Sequence, residues 1–149
     1  MEKNNAKPLL VVICGPTASG KTALSVALAR HFGSIVISAD SRQFFREMQI
    51  GTAAPTAEEQ AGVIHHFIQH ISVYEPYNAS AYASDVIALT DQYFSSHPLA
   101  FMVGGSGLYI SAVCDGMDDL PDPDPVIREM INHQLNTNGI EALRQWLLE

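Results

Sequence analysis

Short apolar runs alternate along this chain with longer segments in which apolar residues recur every three or four positions. The runs are typical of strands that are buried on both faces, and the longer segments are typical of helices that pack one face against a core. We expect strands at residues 9–14, 34–38 and 99–103. We expect helices at residues 21–32, 80–96 and 108–113. This alternation predicts an α/β fold, with a parallel sheet flanked by helices.

An apolar stripe predicts which face the first helix buries. Leu24, Leu28 and Phe32 recur at four-residue spacing, and Ala27 lies beside them. Residues at this spacing share one side of a helix. We therefore expect these four side chains to face the core.

A capping residue predicts where the next long helix begins. We expect Ser80 to be the N-cap of the helix that ends near residue 96. Its buried face would then consist of Tyr82, Val86, Leu89 and Tyr93. Before it, the capping box at 56–59 predicts a short helix, whereas residues 65–73 fit a strand and a loop equally well.

The length of 149 residues, 47% of them hydrophobic, is enough for one domain with a buried core. We divide the chain into a polar, disordered lead-in at 1–8, an α/β core at 9–114 and a C-terminal part at 115–149. That last part begins with an acidic, proline-rich linker and continues into helical segments at about 126–135 and 140–148.

Composition limits where the protein works and what it binds. No apolar run approaches the ~20 residues of a transmembrane helix, and so we expect no membrane association. Cys14 and Cys114 lack metal-binding spacing, and we expect reduced thiols in or near the core of a cytoplasmic protein. The net charge is −8, and residues 113–149 are the most acidic part. Such a chain binds nucleic acid poorly by itself, because phosphate affinity depends on clustered Lys and Arg.

Residues 15–22, GPTASGKT, match the pattern G-x-x-x-x-G-K-[ST] between a predicted strand and a predicted helix. Glycine at both ends lets backbone N–H groups turn toward phosphate oxygens, beside the positive end of the helix dipole. Lys21 supplies a point charge, and Thr22 supplies a hydroxyl suited to Mg²⁺. The residues expected to hold a phosphate or pyrophosphate are Gly15, Pro16, Thr17, Ala18, Ser19, Gly20, Lys21 and Thr22.

Two further segments follow predicted strands and would meet this loop at the carboxyl edge of a parallel sheet. Asp40 suits a general base or a water-mediated Mg²⁺ ligand, but it also suits the N-cap of a short turn at 41–43. The sequence GGSG at 104–107 would offer N–H groups and a hydroxyl to a substrate, or form only a tight turn. Both pairs of alternatives stay open at this point.

His65, His66 and His70 raise the question of a metal site. His66 and His70 would share a face if this segment were helical. No cysteine or carboxylate completes a ligand set at matching spacing, and so we do not expect zinc here.

Four motifs, taken in order, resemble the tRNA dimethylallyltransferase family. They are GPTASGKT at 15–22, DSRQFFREMQIGTAAP at 40–55, HH at 65–66 and VGGSGLYISAVCDG at 103–116. The resemblance implies a P-loop NTPase-like fold with the start of a helical insertion at the C-terminus. It also implies transfer of a dimethylallyl group from its diphosphate to the exocyclic amine of an adenosine beside the tRNA anticodon.

By position in these motifs, the resemblance implies a role for each site residue. The loop at 15–22 would hold dimethylallyl diphosphate by its diphosphate, with Thr22 near Mg²⁺. Asp40 would be the general base toward the adenosine amine, so that Asp40 and Thr22 are the implied catalytic residues. The residues implied to contact tRNA are Asp40, Ser41, Arg42, Gln43, Ser106 and Arg128.

The chain departs from the family pattern in three ways. Ala54 stands where lysine is usual, and Phe45 stands where tyrosine is usual, so that two polar groups near the site are replaced. Family members are also considerably longer, with further catalytic and basic tRNA-binding residues. We therefore expect this chain to be the donor-binding part of a monomeric, cytoplasmic enzyme, and to be inactive by itself.

Three other functions are compatible with the same motifs. A small-molecule or nucleotide kinase would use Asp40 to activate an acceptor hydroxyl, although no arginine-rich lid follows 104–107. A prenyltransferase acting on free adenine nucleotides would share the donor site. A nucleotide-dependent switch would bind nucleotide tightly and need no base. Preference for an apolar-chain diphosphate over ATP would favour prenyl transfer.

Overall fold

The computed structural model of the chain describes residues 7–118 and 124–148. The chain forms two compact units, which divide after Met117. The expected lead-in at 1–8 and the acidic linker fall mostly on residues outside the described ranges. Within those ranges, no helix is both long and apolar enough to cross a membrane.

The first unit alternates strands and helices as the periodicity predicts. Its strands are β1 (Leu9–Cys14), β2 (Val36–Ser38), β3 (His65–His66) and β4 (Leu99–Gly104). Its helices are α1 (Lys21–Phe32), α2 (Ala57–Gln60), α3 (Ala79–Phe94) and α4 (Gly107–Cys114). The ambiguous segment at 65–73 contributes β3 and then loop, in which Ile71 forms a single bridge with Phe45.

The four strands form one parallel sheet in the order β1-β4-β2-β3. β4 lies between β1 and β2, and its Phe101 pairs with Val11 of β1 and with Val36 of β2. The predicted parallel sheet is confirmed. Because all strands run the same way, the segments that follow β1, β2 and β4 emerge at one edge.

Side chains of the strands alternate between two hydrophobic clusters, one on each face of the sheet. The cluster that includes α3 is built on Ile37, Ala100, Met102, Tyr82 and Val86. The cluster that includes α1 is built on Val26, Ala29, Val36 and Phe101. Helices therefore cover both faces, as expected for a buried parallel sheet.

Two predictions about burial are wrong. Leu24 and Phe32 are 52% and 57% exposed, and Ala27 is exposed as well. The buried residues of α1 are Ser25, Val26 and Ala29. These small side chains let α1 approach the sheet closely, and so the larger ones lie at its border.

Cys14 and Cys114 are both exposed, since each is the last residue of its element.

The helix α3 begins two residues earlier than predicted. Its N-cap is Asn78 instead of Ser80, and the Asn78 side-chain oxygen accepts a hydrogen bond from the N–H of Ala81 at 2.9 Å. Asparagine satisfies a free N–H group of the first turn as well as serine does. The predicted buried face is confirmed, because its four residues all belong to one cluster: Tyr82, Val86, Leu89 and Tyr93.

The described part of the second unit forms α5 (Pro125–Trp146), in which Gly139 departs from helical geometry at φ 76° and ψ 177°. The helix thus includes the segment expected at 126–135, and it ends at Trp146, two residues before the expected end of the segment at 140–148. Asp124 caps its start by accepting a hydrogen bond from the N–H of Val126 at 2.8 Å. Arg128 follows in this helix and is exposed.

Candidate functional site

The predicted phosphate-binding loop, residues 15–22, connects β1 to α1. Gly15, Ala18 and Gly20 all have positive φ, at 156°, 62° and 86°. Gly20 is the N-cap of α1, and no side chain caps the first turn there. Amide groups at the start of α1 are therefore left for a ligand, at the positive end of the helix dipole.

Lys21 lies over this loop. Its Nζ donates a hydrogen bond to the carbonyl oxygen of Pro16 at 2.6 Å. A phosphate oxygen carries more negative charge than a carbonyl, and would be a stronger partner for the same ammonium group. The side chain is thus placed where a phosphate held by the loop would be within its reach.

Asp40 follows β2 at the same edge of the sheet. Its Oδ1 accepts a hydrogen bond from the N–H of Arg42 at 3.1 Å, and its carbonyl accepts one from the N–H of Gln43 at 3.0 Å. Asp40 therefore caps the short turn at 41–43. It also lines a cleft beside the phosphate-binding loop, so the capping role and a catalytic role are compatible.

Ser106, in the turn after β4, supports the Asp40 segment from the neighbouring strand end. Its Oγ accepts a hydrogen bond from the N–H of Ser41 at 3.0 Å and donates one to the Ser41 Oγ at 3.2 Å. The fully buried Phe44 fixes the far side of the same segment by stacking on Tyr82, with ring centroids 5.0 Å apart. The turn at 104–107 thus positions this segment, while contact of Ser106 with tRNA stays a prediction.

One cleft collects residues from these strand ends. It has about 570 Å³ of empty space and opens to solvent. Its polar lining consists of Thr17, Lys21, Thr22, Ser25, Ser38, Asp40, Gln43, Thr52 and His65. The rest of its lining consists of Ala18, Val36, Ala53, Pro55, Ile68, Val103 and Gly104. The phosphate-binding loop, Asp40 and Gln43 are thereby brought together, whereas Ser41, Arg42 and Ser106 do not line this cleft.

The other predicted loop residues lie around the cleft. Ser19 and Gly20 line a neighbouring opening, together with Glu59 of α2. Residues 51–55 carry part of the resemblance, but none of them was predicted to be a site residue. Only the folded structure shows that this loop forms a wall of the cleft. Arg128 belongs to the second unit, and its contact with tRNA stays a prediction.

The three histidines have different surroundings. His65 lines the cleft, and its Nδ1 donates a hydrogen bond to the carbonyl of Val63 at 2.9 Å. Burial lowers the pKa of both His66 and His70 below the usual value. His70 meets Phe44 edge to face, with ring centroids 5.6 Å apart. Within residues 7–118 and 124–148, no three His, Cys, Asp or Glu side chains form a group that suits a metal ion.

Gly104 allows the ends of β4 and β2 to approach closely. A Cβ at this position would overlap the carbonyl group of Ala39, whose backbone leads directly into Asp40. A Cβ at Gly105 would lie 3.5 Å from the carbonyl oxygen of Gly15. The end of β4 is therefore close to both the phosphate-binding loop and the Asp40 segment.

We expect Gly104→Ala to lower the free energy of unfolding by about 1–3 kcal/mol, because the added methyl group must displace backbone atoms. Denaturant titrations of the substituted and unsubstituted chains measure the difference. Gly107→Ala is the matched control, since no atom lies within 4 Å of its added Cβ and alanine favours helix. Equal losses from the two substitutions would contradict the packing argument.

Comparison with known proteins identifies chains that are similar to this one. The family model described as IPP transferase matches residues 43–149. A tRNA dimethylallyltransferase of Christiangramia forsetii is 51% identical over 138 residues, which cover 93% of this chain and 46% of the relative. One of Flavobacterium psychrophilum is 49% identical over 140 residues, which cover 94% and 46%. The chain thus spans slightly less than half the length of these curated relatives.

The fold is also similar to a solved structure. The crystal structure of a full-length tRNA isopentenylpyrophosphate transferase from Bacillus halodurans matches with a TM-score of 0.73 and 39% sequence identity. The match covers 95% of this chain and 47% of that chain. The parallel sheet and its flanking helices are therefore shared with that protein over nearly the whole of this sequence.

Proposed function

The chain belongs to the IPP transferase family, and we propose that it forms the donor-binding part of a tRNA dimethylallyltransferase. The enzyme would transfer the dimethylallyl group of dimethylallyl diphosphate to the exocyclic amine of an adenosine beside a tRNA anticodon. The names of the similar proteins support this reaction class. The kinase, the nucleotide switch and the prenylation of free nucleotides are not favoured.

The observation that carries the proposal is the mixed lining of the cleft. Lys21 and Thr22, at the start of α1, suit a diphosphate. Val36, Ile68 and Val103 line the same cleft and suit a short apolar chain. A prenyl diphosphate joins these two parts in one small molecule, whereas the adenosine part of ATP is larger and more polar.

In the proposed reaction the amine nitrogen forms a bond to C1 of the dimethylallyl group, while the bond from C1 to the diphosphate oxygen breaks. The electron pair of that bond leaves with the diphosphate. Lys21 and the amide groups of the phosphate-binding loop would stabilise its growing charge. The nitrogen must lose a proton, for which Asp40 is the carboxylate in the cleft.

The oxygen donors in the cleft fit a bound Mg²⁺ ion. Mg²⁺ is usually held by one or two protein oxygens together with substrate phosphates. Thr22 offers a hydroxyl in the cleft and is the residue that would hold the ion. When bound, the ion would neutralise charge on the diphosphate.

Most of the affinity for tRNA would come from basic residues outside this chain. The chain has a net charge of −8, and tRNA phosphates need clustered cations. The two residues that depart from the family pattern, Ala54 and Phe45, add no positive charge. Ala54 is half-buried between two residues that line the cleft, and Phe45 is half-buried against the core. Cytoplasmic location and a monomeric state stay predictions.

The proposal is tested by the donor that the chain prefers. Calorimetric titrations with dimethylallyl diphosphate and with ATP, each with Mg²⁺, are expected to show at least about tenfold tighter binding of the prenyl diphosphate. A protein of the relatives' full length that contains this sequence is expected to prenylate an unmodified tRNA. Preference for ATP, or phosphorylation of an acceptor, would support a kinase instead.

A further inference from the structure

Gln43 connects the end of β2 to residues 51–55, which we call the cleft loop. Its Oε1 accepts a hydrogen bond from the Oγ of Ser38 at 3.0 Å. Its Nε2 donates hydrogen bonds to the carbonyl oxygens of Thr52 at 3.3 Å and Ala53 at 3.2 Å. Because carbonyls only accept, the amide must present its nitrogen to the cleft loop, which uses both of its N–H groups.

The cleft loop is a wall of the donor cleft. Ala53 and Pro55 line this cleft together with Lys21 of the phosphate-binding loop. Ala53 also lines the neighbouring opening beside Ser19. A shift of the loop backbone at Ala53 would therefore change the shape of the cleft, whose apolar lining includes Val36, Ile68 and Val103.

The backbone of the cleft loop needs support from its surroundings. Ala53 has φ 50°, a left-handed conformation that is uncommon for residues other than glycine. Such a conformation persists only where other contacts hold it in place. Gln60 of α2 supports the end of the loop by donating to the carbonyl of Pro55 at 3.0 Å, and Gln43 supports its centre.

The other end of this connection is firmly anchored. Ser38 is 3% exposed, and its carbonyl accepts a hydrogen bond from the hydroxyl of Tyr82 at 2.8 Å. Burial raises the pKa of Tyr82, which keeps the phenol protonated as a donor. Gln43 thus joins the core helix α3, through β2, to the cleft loop.

We infer that Gln43 is a positioning residue that holds the cleft loop and thereby shapes the cleft for the apolar part of the donor. The sequence resemblance implies that Gln43 contacts tRNA. In the structure, its side-chain amide forms hydrogen bonds within the chain. The part of the inference that Gln43 holds the cleft loop rests on these contacts alone. The part that it affects the binding of a prenyl diphosphate also rests on the proposed function.

The test uses Gln43→Met, which keeps the length of the side chain but has no N–H group, and Gln43→Glu, whose carboxylate would face two carbonyl oxygens. Backbone amide order parameters at residues 52–54 are expected to fall in both variants, from the range of a rigid backbone toward that of a flexible loop. Affinity for dimethylallyl diphosphate is expected to fall about tenfold, whereas affinity for pyrophosphate, which needs only the phosphate-binding loop, stays within about twofold. Gln49→Met, at an exposed residue just before the loop, is the matched control.

Unchanged order parameters at 52–54 in both variants would overturn the inference, and so would lower order parameters with unchanged affinity for dimethylallyl diphosphate. Equal loss of affinity for both ligands would also overturn it, because the effect would then come from the phosphate-binding loop.

If the unsubstituted chain binds no prenyl diphosphate, the proposed function fails. In that case the order parameters still decide whether Gln43 holds the loop. Ser38→Ala gives a milder second variant, with order parameters expected between those of the original chain and Gln43→Met.

Discussion

Replacing Asp40 by asparagine, in a protein of the relatives' full length, is expected to lower turnover by about 10²–10⁴-fold, the usual effect of losing a general base. Asparagine retains the oxygen that accepts the hydrogen bond from the N–H of Arg42, and so the turn at 41–43 keeps its shape. The amide cannot take a proton from the adenosine amine. Transfer to tRNA at saturating dimethylallyl diphosphate measures the loss, which is expected in kcat while donor affinity is unchanged.

A matched control is Asp91→Asn, the same change of charge at an exposed position of α3. This variant is expected to turn over like the original enzyme. If Asp40→Asn did so too, Asp40 would have only the capping role that its hydrogen bond already shows.

Lys21→Ala is expected to weaken the binding of dimethylallyl diphosphate by about 10- to 150-fold, because a hydrogen bond to a charged group contributes about 1.5–3 kcal/mol. The fold is expected to stay intact. The ammonium group bonds only to the carbonyl of Pro16 among the described residues, and alanine is the best helix former for the first position of α1. Calorimetric titration with the donor and Mg²⁺ measures the change.

Lys7→Ala is the matched control for this experiment, since Lys7 is exposed and precedes β1. It removes the same charge from the chain and is expected to leave the affinity unchanged. Affinity that is equally insensitive to Lys21→Ala would contradict the assignment of residues 15–22 as the phosphate-binding loop.

The elements of the fold, and the place of residues 15–22 between a strand and a helix, were predictable because their signals are local. A strand that is covered on both faces is apolar at nearly every position, as in the central strand β4. The edge strand β1 is only half-buried, but all six of its residues are apolar as well. The loop at 15–22 is a continuous stretch whose glycines, lysine and threonine act within one turn of backbone. Such features can be recognised before the rest of the fold is known.

The local sequence was less informative where two choices satisfied the same pattern. Helix α1 has apolar residues on more than one side, so periodicity alone favoured Leu24 and Phe32 over the smaller Val26 and Ala29. The choice depends on how closely the helix approaches the sheet, which is a property of packing. The exposure of Cys14 was likewise decided by the edge at which β1 ends.

Within the site, tertiary structure decided which residues meet and what their side chains do. Ser106 and Ser41 are 65 positions apart and meet only because β4 lies next to β2. The order of strands in a sheet is not encoded in any single segment, since it follows from how all the apolar faces are buried together. The sequence by itself therefore determined the elements and the meeting of Asp40 with the loop at 15–22, whereas packing alone decided that Gln43 holds the cleft loop as a wall of the same cleft.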